Sequence, residues 1–296
     1  MEIVKEFPTR DGLGAMLWKK IYAMSYAYSR RKVFEDTPFE WFIIHESDRV
    51  NNQEEMNSLM YKFNNLLSNP WDHINFDDIQ DKTICTEVGL GAPEPGFADC
   101  SPEFLFEAVN FNKFDEEPLN AIVIHLRRGN AIPENPRYMP DEFYFKVLSG
   151  IPKLIQDLKL NNPRIIICTD APDVPKKYKP VSHDQQIMWG QPHLYADENG
   201  EYDLTTANFD EFRKICPGLE IINTFDPYDS FLLMLNAKVL IVGQSAFSQS
   251  AGLLSKNKVI GMVPKFGMSY LFNIFKNKIG NLNENGEIIL DDNFRN

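Results

Sequence analysis

The segment AIVIHLRRGN, residues 121–130, constrains this chain more than any other. Four apolar residues, Ala121, Ile122, Val123 and Ile124, follow one another without a polar break. A strand covered on both faces reads this way, and such strands belong to parallel sheets flanked by helices. The run ends in His125, Arg127, Arg128 and Gly129, so its polar groups fall where the strand leaves the sheet. Open α/β sheets bind ligands at that carboxyl edge. Two guanidiniums beside a glycine combine fixed charge, forked donors and close backbone approach, a set suited to phosphate. An acidic protein offers the same arginines a plainer use, pairing with surface carboxylates. Alternation along an extended chain puts His125 and Arg127 on one face and Arg128 on the other. Arg127 is therefore the expected ligand contact, with Arg128 a second contact or a brace for the loop.

The second half of the chain repeats this logic. Apolar runs recur at 164–169, 219–223, 237–243 and 257–263, and helical patterns fall near 140–159, 207–215, 228–236 and 246–255. Such alternation predicts βαβ units and a parallel sheet with helices on both faces. Pro152 is expected to kink or split the first of these helices. Residues 171–206 show no period and read as a surface excursion. One more helical pattern, 270–275, precedes a polar end.

The first half is less regular. The turn DGLG at 11–14 feeds a helix with Leu13, Leu17, Ile21, Met24 and Tyr28 at spacings of three and four. A glycine turn at a helix start lets a ligand touch backbone N–H groups, or it is simply a tight turn. Residues 40–44 read as a buried strand, 52–67 as a helix, 77–81 and 89–96 as surface connection and loop, and 104–114 as a helix. The polar stretch ahead of Pro118 predicts a domain boundary, giving units of 1–117 and 118–296. The tail of the second is free to pack back on the first.

Hydrophobic residues make up 43% of the chain and aromatics 12%, enough for a packed core. With 30 basic and 42 acidic residues the net charge is -12, which disfavours nonspecific nucleic-acid binding. Cys85, Cys100, Cys168 and Cys216 form no C-x-x-C pair, so neither a zinc site nor a disulfide framework is expected. The opening residues lack the apolar core of a signal peptide, and no stretch is long enough for a membrane span. The expectation is a cytoplasmic chain.

A second constellation is VGQSAFSQSAGLL, residues 242–254, which leaves a strand and opens a helix. Ser245 and Ser248 sit where a helix has unpaired N–H groups and its positive dipole end, a setting for a phosphate or a sugar hydroxyl. Phe247 can pack on a base, a sugar or the core, and serine is also an ordinary N-cap. Asp229 opens the preceding helix, and its spacing from Ser245 puts its carboxylate and the Ser/Phe turn at neighbouring strand edges, where it can accept hydrogen bonds from a guanine edge or cap its own helix. Asp170, directly after its strand, has the same two uses.

Together these pieces resemble the fucosyltransferase superfamily. The α-1,2 group and its α-1,6 and protein O-fucosyl relatives carry an early Gly-x-Gly turn, a His-x-Arg-Arg-Gly-Asp motif and a late Ser-Ser-Phe-Ser turn. Here they are matched by the turn at 11–14, by His125 to Asn130, and by Ser245 to Ser248. The sequence FYF at 143–145 and CTD at 168–170 stand in similar order to the Tyr-Tyr helix and the strand ending Ser-Asp-Asp of the α-1,2 type. The resemblance implies a GT-B-like α/β fold of two Rossmann-like domains facing a cleft, with the parallel sheet in the C-terminal half. It implies an inverting, metal-independent glycosyltransferase that moves fucose from GDP-fucose to a hydroxyl of a glycan acceptor, without a cofactor. Alternatives are another nucleotide sugar, or a relative that binds nucleotide or glycan without turnover.

By the same resemblance Arg127 would hold the β-phosphate, His125 would shape the guanine and ribose pocket, and Asp229 would bind guanine. Ser245, Phe247 and Ser248 would line the pyrophosphate and fucose site, and Gly12 and Gly14 would let the first turn approach the donor. Asn130 replaces the family's aspartate and Ala246 a small polar residue, and Gln249 and Ser250 stand where α-1,2 members usually carry two tryptophans. The chain has no D-x-D motif, so arginine and a helix N-terminus would stabilise the leaving diphosphate. Glu134, in the loop past the arginines, is the candidate general base, or else a solvated loop carboxylate.

Overall fold

The computed structural model describes residues 2–6, 13–29, 33–35, 38–39, 53–66, 83–88, 118–129, 131, 133, 138–178, 197–223, 226–261, 279–290 and 294. The first half contributes strand β1 (Glu2–Glu6), helix α1 (Leu13–Ser29), β2 (Val33–Glu35), helix α2 (Gln53–Leu66) and β3 (Thr83–Val88). The three strands form a parallel sheet in the order β2-β1-β3. Helix α1 buries Leu13, Leu17, Ile21 and Met24, the stripe its spacing requires. The segments read as a strand at 40–44 and a helix at 104–114 lie outside the described residues, as does the helix read at 270–275.

The second half holds β4 (Leu119–Leu126), α3 (Asp141–Asp157), β5 (Arg164–Thr169), β6 (Lys177–Tyr178), β7 (Tyr202–Asp203), α4 (Phe209–Ile215) and β8 (Glu220–Ile222). It continues with α5 (Pro227–Asn236), β9 (Ala237–Val242), α6 (Ala246–Leu254), β10 (Lys258–Gly261), β11 (Ile279–Leu282) and β12 (Ile288–Ile289). Seven of these strands form one sheet in the order β12-β11-β10-β9-β4-β5-β8, parallel throughout except for β12. β4, apolar from Ala121 to Ile124, lies inside the sheet between β9 and β5, with both faces covered.

The chain runs outward through β4, β5 and β8, then α5 carries it back across to β9 on the other flank of β4. It continues outward the opposite way through β10 and β11. Among the parallel strands this is the doubly wound order of dinucleotide-binding folds, and the reversal falls between β4 and β9. Loops leaving two neighbouring strands in opposite directions open a crevice there, the usual ligand site of such sheets.

Two layers of side chains cover the sheet. Ala121, Val123, Leu240 and Val242 pack with residues of α1, α2, α5 and α6 in one cluster. Ile122, Ile124, Leu126, Val239 and Ile241 pack with residues of α3 and α4 in the other. Fully burying one such side chain stabilises the fold by about 1.5–3 kcal/mol. Both layers therefore rest on the alternation of β4 and β9.

Helix α3 runs unbroken through Pro152, where a kink or split was expected. The proline forfeits one N–H bond, but it sits on the exposed side while Phe143, Tyr144, Val147, Leu148, Ile151 and Leu154 are buried along the other. Packing of that stripe outweighs the lost bond. The excursion at 171–206 carries a two-stranded antiparallel ribbon, β6 with β7. The polar end carries β11 and β12, which extend the main sheet.

Candidate functional site

The crevice is built from the turn after β4 and the turn after β9. Beyond β4, alternation sends the two arginines apart. Arg127 reaches toward α6, where its Nη1 donates to Ser245 Oγ at 3.4 Å. Arg128 turns to the opposite layer and is fully buried. Its Nη1 donates to the carbonyls of Arg127 at 2.8 Å and Met139 at 2.9 Å, and its Nη2 pairs with Asp141. The guanidinium also lies over the rings of Tyr138 and Tyr144, at 4.6 and 5.4 Å from their centroids. Of the two uses expected for Arg128, the structure has the brace: these hydrogen bonds are all spent within the turn and α3.

Ser245 is the N-cap of α6, yet its hydroxyl makes no cap bond to the helix. It accepts from Arg127 instead. That bond is longer than the usual 2.7–3.2 Å, hence weak and readily exchanged for an anion's oxygen. A helix N-terminus without its side-chain cap, facing a guanidinium, is an anion-binding arrangement.

A second helix N-terminus meets it. A Cβ on Gly14, in the first turn of α1, would stand 2.5 Å from the Phe247 backbone nitrogen and 2.8 Å from its Cα. The backbones of the two first turns are thus in contact, and two positive dipole ends converge there. The space that Gly14 leaves is taken by α6, where the sequence had suggested a bound donor. Gly12 lies outside the described residues.

Two residues of the α6 turn face away from the expected ligand. Ser248 is fully buried and its hydroxyl donates to the Ser245 carbonyl at 3.3 Å. Phe247 packs against Phe231 with ring centroids 5.3 Å apart, in the core layer. Their spacing on a helix turn does not separate an inward from an outward side chain, so the sequence left both uses open.

Asp229 is exposed in the first turn of α5, and Asp226, one turn of chain earlier, does the capping. Asp226 accepts from Tyr228 N at 2.8 Å and Asp229 N at 3.3 Å, and pairs with Lys62 of α2 at 3.2 Å. The edges carrying Asp229 and Ser245 were expected to be neighbours. Instead β4 and β5 lie between β8 and β9, because α5 crosses back over both.

His125 and Asp170 complete the edge. Asp170 Oδ1 accepts from the Arg128 backbone N–H at 2.6 Å, which fixes the turn after β4 to the end of β5. His125 is buried, and burial pushes its pKa down to about 4, with Asp170 raising and Arg127 lowering it. It is therefore neutral near pH 7. Its Nδ1 has no hydrogen-bond partner among the described residues and lies against Gly243, where a Cβ would stand 2.9 Å away. Gln244 Nε2 and Gln249 Oε1 are likewise buried without partners among the described residues, while Gln249 Nε2 donates to the Gly243 carbonyl at 3.4 Å. Tyr144 lies close by, its phenol pushed up to about 12 by burial.

Sequence reading passed over Asp141, and it quoted Tyr144, Gly243 and Gln244 within motifs without giving them a role. A Gly at the end of a strand facing a His on its neighbour has no linear signature. Glu134 and Asn130 lie outside the described residues. Among those described, no group of three His, Cys, Asp or Glu side chains is placed to hold a metal ion, and no helix is long and apolar enough to cross a membrane.

No protein-family profile matches the chain, and no curated protein sequence does. Solved structures give matches of low score. The NodZ α-1,6-fucosyltransferase soaked with GDP-fucose is 13% identical, over 88% of this chain and 94% of that one, with a TM-score of 0.35. The same enzyme co-crystallised with GDP is 14% identical over the same shares, with a TM-score of 0.32. Fucosyltransferase NodZ from Bradyrhizobium is 14% identical over 86% of this chain and 93% of that one, with a TM-score of 0.32.

Proposed function

We propose that this chain is a glycosyltransferase that uses a nucleoside-diphosphate sugar, with GDP-fucose as the donor and a glycan hydroxyl as the acceptor. The observation that carries the reading is the meeting of Arg127 with the uncapped N-terminus of α6 at the reversal of strand order. A doubly charged diphosphate suits one fixed guanidinium and the N–H groups of a helix start. GDP and fucose come from the motif resemblance of residues 11–14, 125–130 and 245–248 to the fucosyltransferase superfamily.

On this reading the nucleotide lies along the carboxyl edge. Its diphosphate sits over Arg127 and Ser245, and its ribose near Asp170, where doubly wound folds hold an acid at the end of the second strand. Its base lies toward Asp229. From β9 to β8 is three strand spacings, about 14 Å, a span suited to a nucleoside diphosphate. His125, held neutral, adds no charge, so Arg127 and the dipole ends carry the electrostatic work. The acceptor hydroxyl attacks the anomeric carbon from the face opposite the diphosphate, which inverts that centre. Negative charge grows on the departing phosphate oxygens, and Arg127 with the α6 N–H groups stabilises it without a metal. Glu134 takes the proton from the acceptor. Residues 1–117 supply the acceptor side and 118–296 the donor side, as two Rossmann-like units in a GT-B arrangement.

The test is a thermal-shift panel of GDP, UDP and ADP. A ligand at 100 times its dissociation constant adds about 2.7 kcal/mol of stability. Stabilisation by GDP alone supports the donor class, and stabilisation by none of the three ends the proposal. Donor hydrolysis without acceptor then separates a transferase from a relative that only binds. If Glu134→Gln turned over normally while Arg127→Ala did not, the base assignment would fail.

A further inference from the structure

The turn that carries Arg127 is held from the side away from the crevice. Gly129, with φ of 57°, bends the chain in a conformation that glycine adopts without cost. On that bend Gly129 and Thr205 exchange both backbone hydrogen bonds, at 3.1 and 2.7 Å. Thr205 Oγ1 adds a bond to the Ala131 carbonyl at 2.7 Å. The segment returning from the 171–206 excursion thus forms a two-residue bridge across the turn.

Arg128 anchors the same turn from below. It is fully buried, and its charge is met by Asp141 in the first turn of α3. Asp141 uses both oxygens, one for Arg128 and the other for the Asn208 backbone N–H at 3.1 Å. One carboxylate therefore ties together the arginine turn, the start of α3 and the segment that bears Thr205. A buried pair of this kind adds little net stability compared with apolar side chains of equal volume. What it adds is direction, since a fork bound to Asp141 and two carbonyls has one orientation.

We propose that Asp141 and Thr205 are positioning residues for the diphosphate site: through Arg128 and Gly129 they set the direction in which Arg127 faces Ser245. The inference rests on the nucleotide-diphosphate reading of the crevice. It predicts that loosening the assembly weakens recognition of phosphate and leaves recognition of the nucleoside alone.

The experiment compares GDP and guanosine by titration calorimetry in the full chain and in two variants, at a temperature where circular dichroism shows each folded. In Asp141→Asn the amide can accept from Arg128 or from Asn208 N–H but not from both, because its other end is a donor. Thr205→Val removes only the bond to Ala131. The expected result is a GDP dissociation constant raised about tenfold by Asp141→Asn and about threefold by Thr205→Val, with guanosine binding unchanged. A structural role alone would lower the melting point without separating the two ligands. Folded variants that bind GDP as the parent does would overturn the inference, as would equal loss of both ligands. If the parent chain bound no nucleoside diphosphate, the functional reading would fall first and this inference with it.

Discussion

Whether α1 and α6 touch through their backbones decides the shape of the proposed anion site, and Gly14→Ala measures it. Two effects of opposite sign compete. Alanine is favoured over glycine by about 1 kcal/mol inside a helix, and by less in a first turn such as that holding Gly14. Against this, the new Cβ would lie 2.5 Å from Phe247 N, 2.8 Å from its Cα and 3.0 Å from Ala246 C. All three are backbone atoms of a helix start, with no rotamer to move aside. Restoring ordinary contact requires the helices to part by about 1 Å, and overpacking of that kind costs about 1–3 kcal/mol. The clash wins, for a net loss of about 1–2 kcal/mol. For a chain of 296 residues that is a fall in melting midpoint of about 2–3 °C. Gly150→Ala is the control, because its Cβ meets only the Ile288 side chain, at 3.4 Å. Helix propensity should win there and raise the midpoint. Differential scanning calorimetry on both reads the contrast. A Gly14→Ala protein as stable as the parent, beside a stabilised Gly150→Ala, would refute the helix contact and the convergence of dipole ends that depends on it.

Arg127→Ala should raise the GDP dissociation constant by about 10–100-fold, the loss of one hydrogen bond to a charged group, as measured by titration calorimetry. His125 has a pKa near 4 when folded and an ordinary value of 6.5. The unfolded chain then binds the extra proton between those values, so this stabilisation is complete above pH 6.5 and erodes as pH falls toward 4. Its size is about 3 kcal/mol, and denaturant melts at about pH 7 and about pH 4.5 should show a smaller acid loss in His125→Asn than in the parent. Gly286 and Gly200 both have positive φ, but a Cβ on Gly286 would stand 2.3 Å from the Phe143 carbonyl oxygen while Gly200 has nothing within 4 Å. Gly286→Ala should therefore destabilise by clearly more than the roughly 1 kcal/mol of left-handed strain incurred by Gly200→Ala, and equal melting points would count against the packing of the β11–β12 turn on α3.

The parts of this fold that could be read from sequence are those with a period. The run from Ala121 to Ile124 announced a strand covered on both faces, and β4 is such a strand because its alternate residues feed two separate layers. The same alternation, a property of any extended chain, separates Arg127 from Arg128. What escaped was short or depended on a distant partner. β1, β2 and β3 carry charged residues and only three to six positions each, too few for a pattern to stand out. β11 contains a glycine whose vacant Cβ position is filled by Leu290, so its packing surface comes from the tail. At the site, the motif around Ser245 marked a helix start correctly but could not say which of its side chains turn inward. Ser248 and Phe247 do, and only the packing of α5 and α1 against α6 decides that. Asp229 and Ser245 stand on edges that are not neighbours for a topological reason, since nothing local reveals that the crossover α5 skips two strands.

The two arginines divide a task that neither performs alone. An exposed guanidinium has many rotamers, and ordering one on binding costs about 0.5–1.5 kcal/mol. A ligand held by such a group loses that amount from its affinity. Here the cost is met during folding. Arg128 is sealed beneath the turn by Asp141, Tyr138 and Tyr144, and Asp170 grips its backbone N–H. The residue before it therefore leaves the sheet in one direction, toward Ser245. Exchanging the roles would fail on charge grounds: Arg128 already has its carboxylate, and an anion brought to it would have to displace Asp141 from a buried pair. The prediction is an asymmetry in conservative variants. Arg127→Lys keeps a charge at the crevice but loses the fork, and should retain part of the GDP affinity. Arg128→Lys cannot reach two carbonyls and a carboxylate with one ammonium, and should cost more in stability than in charge-dependent binding. Melting points and GDP titrations of the two variants, compared side by side, test it. Equal losses of stability in both would mean that the turn is not braced from below.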